Sequence, residues 1–304
     1  MRLGLAGDTM LGRKVAERPP DALIAPEVVA VAREADLFLL NLECCIAESG
    51  SRWPDPRKPF FFRAPPSAVE VLLELEVDCV TLANNHALDY GEEALLETFA
   101  HLEAAGIAYV GAGADLARAR ARLVLDGLGV VALADHPPEY AAGPAKPGIA
   151  FADLWREPVP EWALEACRGS LVSVHWGPNM VDAPVAHVRR AADELVEAGA
   201  TLVAGHSAHV FHGVAGRVLY DLGDFLDDYA VDPLLRNDIG LHFLVDLDAD
   251  GPRRLEAVPL SLDFCHTRLA RGADAEWARE RFRHACAAHG TEVRVEDGRL
   301  VVTW

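Results

Sequence analysis

Residues able to bind a cation or move a proton recur where short apolar runs stop. The run Arg2–Ala6 stops at Gly7-Asp8, and Leu37–Leu42 stops at Glu43. Cys79–Ala83 stops at Asn84-Asn85-His86, with Asp89 three residues on. Leu171–His175 ends in His175-Trp176-Gly177. Leu202–Ala204 runs into Gly205-His206-Ser207-Ala208-His209, and Val218–Leu222 runs into Gly223-Asp224. In a parallel α/β sheet the loops at the carboxyl edge converge over one crevice. Six such ends, delivering Asp, Glu, Asn-His, His, His-x-x-His and Asp, predict one polar pocket. Imidazoles mixed with carboxylates and an amide oxygen suit a borderline divalent cation such as Zn, Mn or Fe. The donors are more than one tetrahedral ion needs. A pair of ions bridged by a carboxylate and water is therefore expected, which would acidify that water and clamp a developing oxyanion.

Each residue also has a plainer structural reading. Asp8 could cap a turn, Glu43 could be a salt-bridged loop residue, and Asn84, Asn85 and His86 could be turn residues in left-handed positions. His175 could be a satisfied core histidine, and Asp89 could cap the helix from Gly91 or accept a hydrogen bond from His86. Asp224 reads as a partner of the pocket. Arg13, five residues past Asp8, is placed to meet an anionic group at the pocket mouth, and Trp176 is expected to wall it. His212 and His136 read as loop residues. His101, His187, His242, His266, His284 and His289 read as ordinary surface or packing residues.

The elements that must position these groups alternate. Besides the runs above, Ile107–Val110, Leu123–Leu125 and Val130–Ala134 read as strands. Pro26–Ala35, Ser67–Leu75, Glu92–Ala105, Trp162–Cys167 and Val185–Ala198 read as helices, two of them closed by Gly106 and Gly199. Such alternation predicts an α/β fold with a largely parallel core. Leu241–Asp248 and Leu255–Leu262 read as a hairpin around Asp250-Gly251, suited to a second sheet packed on the first. A helix over Ala275–His289 and a hairpin around Asp297-Gly298 follow. The expected division is 1–262 for the main domain and 263–304 for a C-terminal helix and hairpin packed on it. Trp53–Pro66 and Pro137–Gly148 read as irregular loops.

The 304 residues carry Lys+Arg 28 against Asp+Glu 47, a formal net charge of −19. That surface repels phosphate backbones and anionic membranes, which argues against a nucleic-acid or membrane binder. At 51% hydrophobic and 25% charged, the composition is that of a globular chain. No apolar run reaches 18 residues, and the first one passes straight into Gly7-Asp8, unlike a signal peptide. A cytoplasmic location is the expectation. Six cysteines without a Cys-x-x-Cys read as reduced, mostly apolar fillers.

The segments GDTMLGR, NLE, LANNHALDYG, HWG, GHSAHV and LGDF together, over roughly residues 1–230, resemble the bacterial capsule-synthesis CapA family. That family is linked to poly-γ-glutamate and belongs to the calcineurin-like metallophosphoesterase superfamily. The resemblance implies an α/β fold, a two-sheet α/β/β/α sandwich of the metallo-dependent phosphatase type. It implies Asp8 as the first-strand metal ligand and Glu43 in the place of a bridging Asp. It further implies Asn85, His175, His206 and His209 as metal ligands, with His86 near the leaving group as general acid. Three positions depart from the pattern: Met10 replaces the His of Asp-x-His, Ser207 replaces a second His, and Asp224 replaces an Asn. The implied activity is hydrolysis or transfer, through metal-activated water, at a phosphoester or at a γ-glutamyl or other peptide amide. The implied partner is a small-molecule or peptide/polyglutamate substrate. Two alternatives stand beside it: a metal-dependent peptide Cα epimerase, and a non-catalytic accessory protein of poly-γ-glutamate synthesis.

Overall fold

In the computed structural model, which describes residues 1–304, the strands gather mainly into two sheets. The first contains β1 (Arg2–Thr9), β2 (Leu37–Leu42), β3 (Cys79–Thr81) and β4 (Ala108–Val110), all parallel. The second contains β5 (Leu123–Leu125), β6 (Leu128–Ala134), β7 (Ser170–His175), β8 (Leu202–His206), β9 (Val214–Ala215) and β10 (Val218–Leu219), in the order β9-β10-β8-β7-β6-β5. Its inner four strands, β10-β8-β7-β6, are parallel. The chain then returns to the first sheet. β11 (Asp224–Leu226) pairs parallel with β1, setting Asp224 opposite Asp8. β12 (Ile239–Asp248) and β13 (Gly251–Asp263) follow antiparallel, then β14 (His266–Leu269), β15 (Arg294–Glu296) and β16 (Arg299–Thr303).

One expectation is corrected here. The β12–β13 hairpin is not the second sheet: β12 pairs directly with β1 and extends the first sheet antiparallel. Its alternating pattern fits either arrangement, because alternation reports one buried face and not which strand lies alongside. The β15–β16 hairpin prolongs the same sheet through β13, and α7 (Gly272–Ala287) packs against it and against Val214.

Strand periodicity decides which face each residue takes. On β7, Leu171, Ser173 and His175 point toward the first sheet. Val172, Val174 and Trp176 join the core under α5 (Glu161–Cys167) and α6 (Ala186–Glu197). On β8, Leu202, Ala204 and His206 point inward while Val203 faces the helices. Leu5 of β1 and Leu39 of β2 meet Leu171 and Ala204 from across the gap. The two sheets thus share one apolar layer, which turns polar at its carboxyl end with Asn41, Thr81, Ser173 and His206. Helices α1 (Pro26–Ala32), α2 (Val69–Glu74) and α3 (Gly91–Ala104) connect strands of the first sheet, and the short α4 (Leu116–Ala119) precedes β5. No helix is long and apolar enough to cross a membrane. All six cysteines are free and buried, as their use as apolar fillers requires.

Candidate metal centre

Asp8 stands where both sheets end. Gly7 lets it in: a Cβ there would lie 1.8 Å from the carbonyl oxygen of Gly223, so only glycine allows β1 and β11 to approach. The Asp8 N–H donates to that carbonyl at 2.9 Å. Its carboxylate oxygens have separate duties. Oδ1 accepts from Asn41 Nδ2 at 2.7 Å and lies 3.7 Å from His206 Nδ1. Oδ2 accepts from the Ser207 N–H at 3.2 Å and lies 3.4 Å from His209 Nδ1. Asn41 is itself fixed by donors from Thr81 and Asn84 to its Oδ1.

Two buried donor groups share this carboxylate. Asp8, His175 and His206 form one, and Asp8, Glu43 and His209 the other; within each, the ligand atoms lie within 4.8 Å of one another. The carboxylate common to both is Asp8, whereas Glu43, expected in the bridging place, belongs to one group only. Sharing follows from position, since Asp8 lies near the carboxyl end of β1, between β2 and β11. His175 and His206 sit opposite each other in adjacent strands, with Nδ1 atoms 2.8 Å apart. Ser173 Oγ engages the other nitrogen of His206 at 2.8 Å. His209 reaches in from the turn after β8, where Ser207 (φ 121°) and His209 (φ 61°) both adopt conformations that cost non-glycine residues energy. Asp221 holds that turn, accepting from the Ala208 and Gly223 N–H groups.

The donor chemistry fits divalent cations. Glu43 Oε1, Asn85 Oδ1, His175 Nε2 and Asp224 Oδ2 are buried polar atoms with no hydrogen-bond partner, an arrangement that is costly unless something binds there. Burial pushes both Asp8 and Glu43 up to about 7, with Asp8 adding to the effect on Glu43. Burial pushes Asp221 and Asp227 to about 6 and drives Asp224 well above its ordinary value. A pocket this rich in destabilised carboxylates calls for positive charge. Burial holds His206 at about 3 and His175 well below 6.5, His206 reinforcing the effect on His175. Both imidazoles are neutral at pH 7, as metal ligands must be. His209 is the opposite case. Burial works to lower it, but Asp224, 2.8 Å away, and Glu43 raise it well above 6.5.

Beside the donors lies a cavity of about 320 Å³ bordered by His86, His209, Arg13, Phe60, Phe62, Tyr229 and Asn237, among others. His86 Nδ1 is 2.6 Å from Asp89 Oδ2, which leaves the other ring nitrogen for the cavity side. The ring stacks on Phe62 at 3.9 Å. Asp89 is saturated: it also accepts from the Phe62 N–H, Tyr140 OH and Lys58 Nζ. The loop 53–66 is thereby tied over the site by its own backbone and lysine, and its Phe62 is buried. Arg13 lies at the mouth, pairing with Asp228 at 3.2 Å and facing the rings of Phe60, Phe62 and Tyr229.

Several placements differ from the sequence reading. Trp176 does not wall this cavity. One residue past His175, it takes the opposite face, and its Nε1 donates to the Tyr220 carbonyl under α6. His212 is in a loop, yet it is buried, with Nε2 against the Val181 carbonyl. Asn84 serves the scaffold, joining Asn41, Leu42 and the His86 N–H. Tyr229, whose OH donates to Glu43 Oε2 at 2.9 Å, was missed, as was Asp135, which binds His136 and His187. Tyr229 follows the motif LGDF by only four residues, whereas nothing in the sequence alone ties Asp135 to His187.

Comparison with known proteins agrees with the motifs. The family model described as bacterial capsule synthesis protein PGA_cap matches residues 2–229. A Mycobacterium tuberculosis protein named as a probable polyglutamine synthesis accessory protein is 32% identical over 286 residues, covering 85% of this chain and 74% of its own. The PGA biosynthesis protein CapA of Bacillus subtilis is 27% identical over 237 residues, covering 73% of this chain and 62% of its own. A crystal structure of a hypothetical protein from Thermus thermophilus overlays 86% of this chain and all of its own with a TM-score of 0.47 at 18% identity, too weak a likeness to carry an argument. With three quarters of its length matched by that family model, this chain belongs to the PGA_cap family of bacterial capsule synthesis proteins.

Proposed function

We propose that this chain is a metal-dependent hydrolase built on a sandwich of the metallo-dependent phosphatase type. Its substrate would be a phosphoester or a γ-glutamyl or other peptide amide. The observation that carries the reading is the sharing of Asp8: one carboxylate presents an oxygen to each of two buried donor groups, beside a cavity bearing His86. Asp8, His175 and His206, with Asn85 nearby in sequence to His86, would hold one divalent cation. Asp8, Glu43 and His209, with Asp224, would hold a second, of the Mn, Zn or Fe class. Such a pair supplies Lewis acidity that activates water and offsets negative charge gathering on the reacting centre.

The remaining work falls to the chain. Asp89 orients His86, and with both ring nitrogens protonated the one on the cavity side could give its proton to a leaving oxygen or nitrogen. Phe62 covers the His86 ring and keeps bulk water from that face. Arg13, braced by Asp228, offers a cation to an anionic substrate at the mouth, where the chain's own charge would otherwise repel it. The test is elemental analysis of protein purified without chelator, with turnover of bis-p-nitrophenyl phosphate and of a γ-glutamyl peptide. One to two transition-metal equivalents with hydrolysis of either compound supports the reading. Tight metal with no bond cleavage but deuterium uptake at Cα would shift it to epimerisation. Neither metal nor turnover would favour an accessory role in polyglutamate synthesis, which the Mycobacterium relative's name suggests.

A further inference from the structure

Three imidazoles line up across three adjacent strand ends. β6, β7 and β8 are parallel neighbours, with Ala134 opposite His175 and His175 opposite His206. The pairing runs one residue further, the Asp135 N–H donating to the His175 carbonyl at 3.0 Å. His136 follows at once. Its ring centroid lies 5.2 Å from that of His175, tilted by 46°. His206, on the other side, is 5.0 Å from His175 and tilted by 51°. The two flanking rings lie at similar distances and tilts from the central one, although only His206 meets it nitrogen to nitrogen, at 2.8 Å.

Asp135 fixes which nitrogen His136 can offer. Its buried carboxylate engages His136 Nδ1 directly, so Nε2 is left as the free acceptor. Asp135 is not free to turn away, because its other oxygen accepts from the Gly177 N–H at 2.9 Å and lies 3.2 Å from His187 Nε2. A carboxylate that grips one imidazole nitrogen and frees the other is the arrangement that orients metal-binding histidines. His175 turns Nδ1 to His206, and its other nitrogen, Nε2, is buried with no partner.

We propose that His136 is a further ligand in the His175–His206 half of the centre, with Asp135 as the positioning residue that aims it. The assignment rests on the metal-centre reading above and adds a donor to it. In the plainer alternative, Asp135 and His136 only pin the start of the proline-rich loop. Cobalt(II) titration of the full-length chain after chelator removal separates the two, following equilibrium uptake and the visible absorption of bound cobalt. His136→Ala should weaken one of two equivalents by at least about 10-fold and change the spectrum. Asp135→Asn should weaken the same equivalent by about 10- to 100-fold with the spectrum largely kept. His187→Ala should leave both equivalents alone, since Gly177 still anchors Asp135. Should the alanine variant not fold, His136→Gln, which retains most of the bulk, repeats the comparison. Wild-type affinities and spectrum in both His136 variants would overturn the assignment. So would an equal loss in His187→Ala, which would mark a purely structural effect. If the wild-type chain takes up no cobalt, the centre itself fails, an outcome distinct from loss in the variants alone.

Discussion

Replacing Asp8 by Asn should reverse its effect on stability depending on whether metal is bound. In chelated protein the unfolded chain ionises Asp8 at 3.8, while burial holds it protonated to about 7 in the fold. Between those values the folded state keeps a proton that the unfolded state releases, so stability falls as pH rises and the full cost stands above pH 7. That cost is about 4 kcal/mol. Asn carries no charge, but it has one acceptor for the two donors, Asn41 Nδ2 and the Ser207 N–H. Losing one hydrogen bond costs about 1 kcal/mol, leaving the chelated variant about 3 kcal/mol ahead at pH 8. The lost bond does not titrate, so the pH slope isolates the carboxylate: the difference should grow by about 2 kcal/mol between pH 5 and pH 7. Urea unfolding in excess chelator measures it. Manganese at 100-fold its dissociation constant should stabilise the wild type by about 2.7 kcal/mol per site and the variant far less, since Asp8 serves both groups. A chelated Asn variant less stable than wild type at pH 8, or one binding both equivalents normally, would refute the reasoning.

Other perturbations probe separate parts. His86→Ala should cut turnover by about 100-fold or more while metal content is unchanged, because His86 belongs to neither donor group; steady-state rates with elemental analysis read both. Gly7→Ala places a Cβ against the Gly223 carbonyl and should cost about 3 kcal/mol or more by urea unfolding. His242, buried between Phe38 and Phe225 with both nitrogens unpartnered, is held at about 4 by burial. The unfolded chain takes up that proton near 6.5, so stability is lost as pH falls from 6.5 to 4, by about 3 kcal/mol. His242→Leu should flatten that acid limb in chemical unfolding, and an unchanged limb would show that His242 does not set it.

The strand ends were legible because each of them couples an apolar run to a polar stop, and parallel pairing makes such stops converge. Asp8, Glu43, His175, His206 and His209 are brought together on that logic alone. Trp176 could have been placed by the same period of two: with His175 facing inward, its neighbour must face out. Other features depend on contacts that no local pattern encodes. The β12–β13 hairpin joins β1 by a pairing of distant segments. Phe62 covers His86 because Asp89 seizes its N–H from 27 residues away. Asp135 meets His187 across 52 residues, and Tyr229 meets Glu43 across 186. Histidine protonation was equally hidden, since His206 and His209 lie three residues apart in opposite electrostatic surroundings.

That contrast gives the two halves of the centre different characters. His175 and His206 are kept neutral by burial and offer lone pairs without first releasing a proton. The other half mixes Glu43 and Asp224 with a His209 that the carboxylates hold protonated. A cation entering there must displace the His209 proton, so its affinity rises with pH, while it also relieves carboxylates that burial has made unstable. In the proposed centre the imidazole-rich half would suit zinc or iron, and the carboxylate-rich half a harder ion such as manganese. Asp8, with one oxygen toward each half, couples them: a charge placed on one side stabilises its ionised form for the other. If both groups of the proposed centre take a cation, electrostatics favours sequential filling: a cation in the neutral half would lower the cost of ionising the shared carboxylate for the second.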